Sequence, residues 1–189
     1  MTSTDKRVIR TREALGRAFE ELALDHDYRD ITITKLTKAA GINRKTFYLH
    51  YNSIDDLVDT FADVVTDQLT TIIHHHAIRD VLAHPGSLLD EFIVFSTKHS
   101  AIFNKVLFAD DYSAFARRIE RSLTTVLAQA IQASYTVKRP DAFIVARFMI
   151  HNALSLYGYF AEQPGPFDRD AYKSYVSRLN LSGIRSFLT

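Results

Sequence analysis

The chain has 189 residues, a formal net charge of +1 and 47% hydrophobic residues, but only six glycines and four prolines. That supplies a sizeable core and too little turn chemistry for a many-stranded sheet or barrel, so an all-α chain is expected, built as one small module plus a larger helical body. The absence of cysteine excludes disulfides, Cys-ligated zinc, iron-sulfur clusters and thiol catalysis, and suits a reducing, cytoplasmic setting.

The N-terminus, Met1-Thr2-Ser3-Thr4-Asp5-Lys6-Arg7, is polar and lacks the apolar region of a signal peptide. A first helix is predicted from about Asp5 to Leu24, with Leu15, Ala18, Phe19 and Leu22 as its apolar stripe. Residues 25–30 read as a loop, since their side chains compete for backbone hydrogen bonds. Thr32 stands where an N-cap belongs, before a short second helix carrying Ile33, Leu36, Ala39 and Ala40. Gly41 ends it by supplying a left-handed residue, and Asn43 caps a third helix, predicted from Arg44 to Tyr51 with Phe47 and Tyr51 inward. A long fourth helix starts at Ile54, with Leu57, Phe61, Val64, Val65 and Leu69 on one face and acidic residues in its first turn.

Breaks at His84-Pro85-Gly86, Asp110-Asp111, Lys138-Arg139-Pro140 and Gln163-Pro164-Gly165-Pro166 divide the remainder into helices near 85–99, 101–108, 111–136, 140–162 and 168–187, about nine in all. The most apolar run, Ala142 to Ala161, is interrupted by Arg147, His151 and Asn152, so no membrane span is expected. His74-His75-His76 is read as a solvated helix end, because adjacent helical residues point about 100° apart and cannot chelate one ion together.

Charge is unevenly distributed. Residues 1–50 carry +3 from ten basic and seven acidic side chains, 51–100 carry −6 from two and eight, and 101–189 carry +4 from eleven and seven. From Ile31 to Ile54 there is no Asp or Glu, while Lys35, Lys38, Arg44 and Lys45 fall there, which suits a polyanion. A helix, a sharp glycine turn and a second helix hold one helix at the angle a major groove admits. With Phe47 and Tyr51 inside, Arg44, Lys45 and Tyr48 lie outward, with Thr46 and His50 on a flank. Arg and Lys can read guanine, and Thr, Tyr and His can donate to phosphate. The same spacing also fits a solvated surface hairpin.

The detailed sequence adds to this. Ala40, Gly41, Ile42, Thr46, Phe47, Tyr48, His50 and Leu57, within a match spanning roughly residues 8–61, strongly resemble the N-terminal signature of TetR/AcrR regulators. The resemblance implies nine or so helices: a helix-turn-helix DNA-binding domain over 1–52 and a ligand-binding and dimerisation domain over 53–189. It implies base contacts from Arg44 and Lys45, phosphate contacts from Thr46, Tyr48 and His50, and contacts from Thr32 and Thr34 at the start of the second helix, with Lys35 and Asn43 among the DNA-facing candidates. Three departures stand out: Asn43 for the usual Ser or Thr, Leu49 for a frequent aromatic, and Ile54 for a phosphate-touching lysine whose loss Lys35 or Lys38 could offset.

By the same resemblance the last two helices form a four-helix dimer interface through Phe143, Phe148, Ile150, Leu154, Tyr157, Phe160, Tyr172, Tyr175, Leu179, Ile184 and Phe187. Amphipathic stripes do not name their partner, so packing wholly within one subunit is the alternative. Candidates for an apolar effector pocket are Phe92, Phe95, His99, Phe103, Phe108, Tyr112, Phe115 and His151, against ordinary core packing. The expected function is a transcriptional repressor that leaves a palindromic operator when a small-molecule effector binds. Alternatives are an activator or coactivator working through a protein partner, or a helical enzyme or carrier. No catalytic constellation, cofactor motif or metal site is read from the sequence.

Overall fold

The computed structural model describes the backbone of residues 3–98 and 100–188, and side chains within 6–98 and 102–181. Among the described residues there are ten α-helices and no strand: α1 Ser3–Asp25, α2 Ile33–Ala39, α3 Arg44–Tyr48, α4 Ile54–His75, α5 Ile78–Ala83, α6 Gly86–Lys98, α7 Ser100–Phe108, α8 Ser113–Ser134, α9 Arg139–Ala161 and α10 Arg169–Leu188. The all-α expectation holds. No described helix is long and apolar enough to cross a membrane.

The chain forms two compact units. The first takes in residues 1–64 and 101–116, and the second 65–100 and 117–189. Helices α4 and α8 each begin in the first unit and end in the second.

In the first unit, Leu15, Ala18, Phe19 and Ala23 of α1 are buried with Leu36, Phe47, Leu57, Val58 and Ala62. Phe19 packs on Phe61 and Tyr112, at 6.3 and 6.4 Å between ring centroids, and Tyr28 packs on Tyr112 and Phe115 at 5.0 and 5.5 Å. Residues 25–30 are not wholly irregular, because Tyr28–Asp30 form a 3-10 turn closed by the Asp30 amide on the Asp27 carbonyl at 3.0 Å. Burial pushes the Tyr28 hydroxyl well above its usual range, and its hydrogen bond to Asp55 adds to this.

In the second unit, α9 and α10 pack together, with Tyr157 and Tyr172 buried beneath Phe92 of α6. The Asn152 amide donates to Asn180 Oδ1 at 2.6 Å, pinning the two helices where Asn180 is buried. Tyr157 and Tyr172 therefore belong to the subunit core. Ile144, Phe148 and Tyr159 of α9 and Tyr175 and Leu179 of α10 remain half exposed. Ile184 and Phe187 lie outside the residues whose side chains are described.

Three expectations are corrected. Helix α3 ends at Tyr48 rather than Tyr51: the Leu49 and His50 amides turn back to Thr46 and Phe47 over three residues, and the Asn52 amide leaves the ladder for Asp56 Oδ2 at 2.9 Å. Tyr51 is still buried, so only the helix boundary moves. The inner stripe of α4 runs through Leu57, Val58, Ala62, Val65 and Leu69, while Val64 is 50% exposed. Helix α5, which the His84-Pro85-Gly86 break conceals, buries Ile78, Val81 and Leu82.

Candidate nucleic-acid interface

The geometry of the head begins with three local caps. Thr32 Oγ1 accepts from the Lys35 amide at 3.2 Å and starts α2, on which Leu36 and Thr37 are buried. Helix α2 closes in a Schellman turn: the Ile42 amide reaches the Thr37 carbonyl at 3.0 Å and the Gly41 amide the Lys38 carbonyl at 3.3 Å, with Gly41 at φ +66°. Asn43 Oδ1 then accepts from the Thr46 amide at 2.7 Å and begins α3. Only two residues, Ile42 and Asn43, separate the turn from Arg44, so the crossing of α2 and α3 is fixed by backbone bonds.

Phe47 anchors α3 from beneath, fully buried and packed against Tyr51 at 5.9 Å. Arg44, Lys45 and Tyr48 are exposed, and Thr46 and His50 are half-buried on the flank. Thr32, Thr34 and Lys35 are exposed along the start of α2. The structure thus brings the candidate residues of α2 and α3 to the exposed side of one compact head. Three are partly committed to the fold: Thr32 Oγ1 caps α2, Asn43 Oδ1 caps α3, and the Thr46 hydroxyl donates to the Asn43 oxygen at 3.0 Å. Leu49, 74% exposed next to Tyr48, escapes a reading that looks only for polar contacts, although an apolar side chain can meet a thymine methyl.

The start of α4 is built against anions. Ser53 Oγ accepts from the Asp56 amide at 3.1 Å, and Asp56 Oδ2 takes the Asn52 amide at 2.9 Å and its side-chain Nδ2 at 3.1 Å. Asp55 accepts from the Tyr28 hydroxyl. The positive end of this helix dipole is therefore satisfied by the chain's own carboxylates, beside Ile54.

The pocket candidates are divided between the two units. Tyr112 and Phe115 pack against each other in the first unit at 6.3 Å, where Phe103 is also buried and Phe108 half-buried. Phe92 lies in the core of the second unit and Phe95 is half-buried there. His151 is exposed, with Nδ1 3.1 Å from Glu120 Oε1. His99 lies outside the described residues.

At the end of α4, His75 Nδ1 and His76 Nε2 sit 3.1 and 3.0 Å from the two oxygens of Glu91 on α6, while His74 is exposed. The triplet is therefore partly a tether between helices rather than wholly solvated. The two imidazoles hold the Glu91 carboxyl below the usual carboxylate range.

A capped, rigidly angled pair of short helices presenting cations from the second of them defines a helix-turn-helix protein. Residues 17–60 match the family described as "Bacterial regulatory proteins, tetR family". The likeness to this family of regulators lies in the N-terminal part of the chain. It is 43% identical over 75 residues to an uncharacterized HTH-type transcriptional regulator, YxbF, of Bacillus subtilis (strain 168), a match covering 39% of this chain and 19% of that relative. Across nearly the whole fold it resembles the fatty acid degradation regulator FadR from Bacillus halodurans, with TM-score 0.71, 15% identity, and 93% and 96% of the two chains covered. It also resembles a TetR transcriptional regulator from Streptococcus agalactiae 2603V, with TM-score 0.68, 20% identity, and 94% and 97% covered.

Proposed function

We propose that this protein is a homodimer that binds a palindromic operator in duplex DNA and represses transcription until a small-molecule effector releases it. The observation that carries the DNA reading is the outward set Arg44, Lys45 and Tyr48 on a helix fixed by Asn43 and Phe47, within a stretch free of carboxylates. Arg44 and Lys45 are assigned to base edges, and Tyr48, His50, Thr46, Thr32, Thr34 and Lys35 to the phosphate backbone. Asn43 acts on DNA mainly through the placement of Thr46.

Dimerisation is supported by the exposed apolar side chains of α9 and α10, Ile144, Phe148, Tyr159, Tyr175 and Leu179, which a second copy would cover. Two heads so paired would read half-sites about 34 Å apart. An effector held by the second domain would act on the first through α4, which runs continuously from one unit into the other.

The test is a mobility-shift assay on DNA flanking the protein's own gene, with wild type and Arg44→Ala. Sequence-selective retention that Arg44→Ala weakens by one to two orders of magnitude is expected, from about 1–3 kcal/mol per bidentate base contact. Sequence-independent binding that Arg44→Ala leaves unchanged would sink the operator reading.

A further inference from the structure

The head carries a second basic surface that lies outside the helix-turn-helix. Lys6, Arg7 and Arg10, with Thr11 and Ala14, share one side of α1 at helical spacing. They line a groove of about 430 Å³ whose other wall is Ile42, in the turn between α2 and α3. Ile42 is two residues from Arg44, so the groove borders the N-terminal end of α3. Lys6, Arg7 and Arg10 are exposed, and none has an ion-pair partner among the described residues.

The lining indicates the kind of anion. Its apolar members, Ala14 and Ile42, offer no donor, and the Thr11 hydroxyl proton is spent on the Arg7 carbonyl at 2.9 Å. The side-chain donors there are the three cations Lys6, Arg7 and Arg10 alone. A row of open cations spread over more than a helical turn fits an extended polyanion. The start of α4, by contrast, carries Ile54 beside Asp55 and Asp56, with the Asp56 amide taken by Ser53 Oγ, so it adds no positive side chain to a DNA surface.

We infer that the first two turns of α1 act as a phosphate clamp, with Lys6, Arg7 and Arg10 gripping the duplex backbone beside the groove that α3 enters. This rests on the DNA reading above. The clamp supplies affinity and register without reading sequence, because phosphates carry no base identity.

The experiment compares wild type, the triple variant Lys6→Gln/Arg7→Gln/Arg10→Gln, and Lys138→Gln as a charge control from the start of α9. Glutamine keeps helix propensity and the sites are exposed, so folding is checked by a thermal melt. Binding is measured across a salt series to a duplex selected by the wild type from a randomised pool, and to an unselected duplex. Three lost phosphate contacts should flatten the slope of log K against log salt by about 2.7 per protomer. The ratio between the two duplexes should stay unchanged. An unchanged slope in a folded triple variant, with wild type still binding, overturns the clamp alone. A changed ratio overturns it as well, since base readout would then be involved. Wild type that retains neither duplex overturns the DNA reading and the clamp with it.

Discussion

Asn43 Oδ1 accepts both the amide and the hydroxyl of Thr46, at 2.7 and 3.0 Å, so one carboxamide oxygen starts α3 and sets the direction of a side chain assigned to phosphate. Replacing it with alanine should cost about 1 kcal/mol in urea unfolding, the usual loss of an N-cap. Asn43→Ser should recover most of that stability. If Asn43→Ala unfolds at the wild-type midpoint, the cap is not what holds α3.

Gly41 sits at φ +66°, and a Cβ built there meets nothing within 4 Å. Gly41→Ala should therefore cost only the left-handed backbone penalty, about 1–2 kcal/mol, and Gly41→Asn less. A much larger loss in chemical denaturation would mean that the turn is packed more tightly than its open surroundings show.

Phe148 and Leu179 are 49% and 50% exposed on α9 and α10. The double change Phe148→Glu/Leu179→Glu should yield monomers in sedimentation equilibrium while leaving far-ultraviolet circular dichroism unaltered. Operator affinity should fall with it, since a single head forfeits the second half-site. Dimers that persist in the double variant would locate the interface elsewhere.

Glu91 is paired with His75 and His76 and titrates below its ordinary value. A depressed carboxyl stabilises the fold above its unfolded pKa, about 4.3, and loses that contribution as pH falls through the folded value. The melting temperature of wild type should exceed that of Glu91→Gln near neutrality, and the two should converge in acid. A gap that widens on acidification would contradict the pairing.

Burial raises the hydroxyls of Tyr28, Tyr112 and Tyr172 far above the ordinary tyrosine value. Folding holds them protonated, so their contribution to stability should be constant below about pH 10 and decline above it. In an alkaline absorbance titration a fraction of the tyrosines should ionise only as the protein unfolds. Smooth ionisation of all nine before any loss of helicity would refute this.

The head was legible because its signals are local. Thr32, Gly41 and Asn43 act on amides within a few residues of themselves, so their chemistry is visible in the string. The end of α3 was not, because it depends on the Asn52 amide choosing Asp56 over continued helix. The aromatic candidates were identifiable as apolar but not as neighbours: Phe92 and Tyr112 entered different cores. Lys6, Arg7 and Arg10 gained meaning only when α1 was laid beside Ile42, more than thirty residues away in sequence.

The Schellman closure at Gly41 divides labour within the head. Thr32, Leu36, Gly41 and Phe47 keep α2 and α3 in place, whereas Arg44, Lys45, Tyr48 and Leu49 contribute little to that frame. Mutation can therefore explore new outward letters without first paying in foldability, and a lineage sharing this frame can diverge in what it recognises while each intermediate still folds.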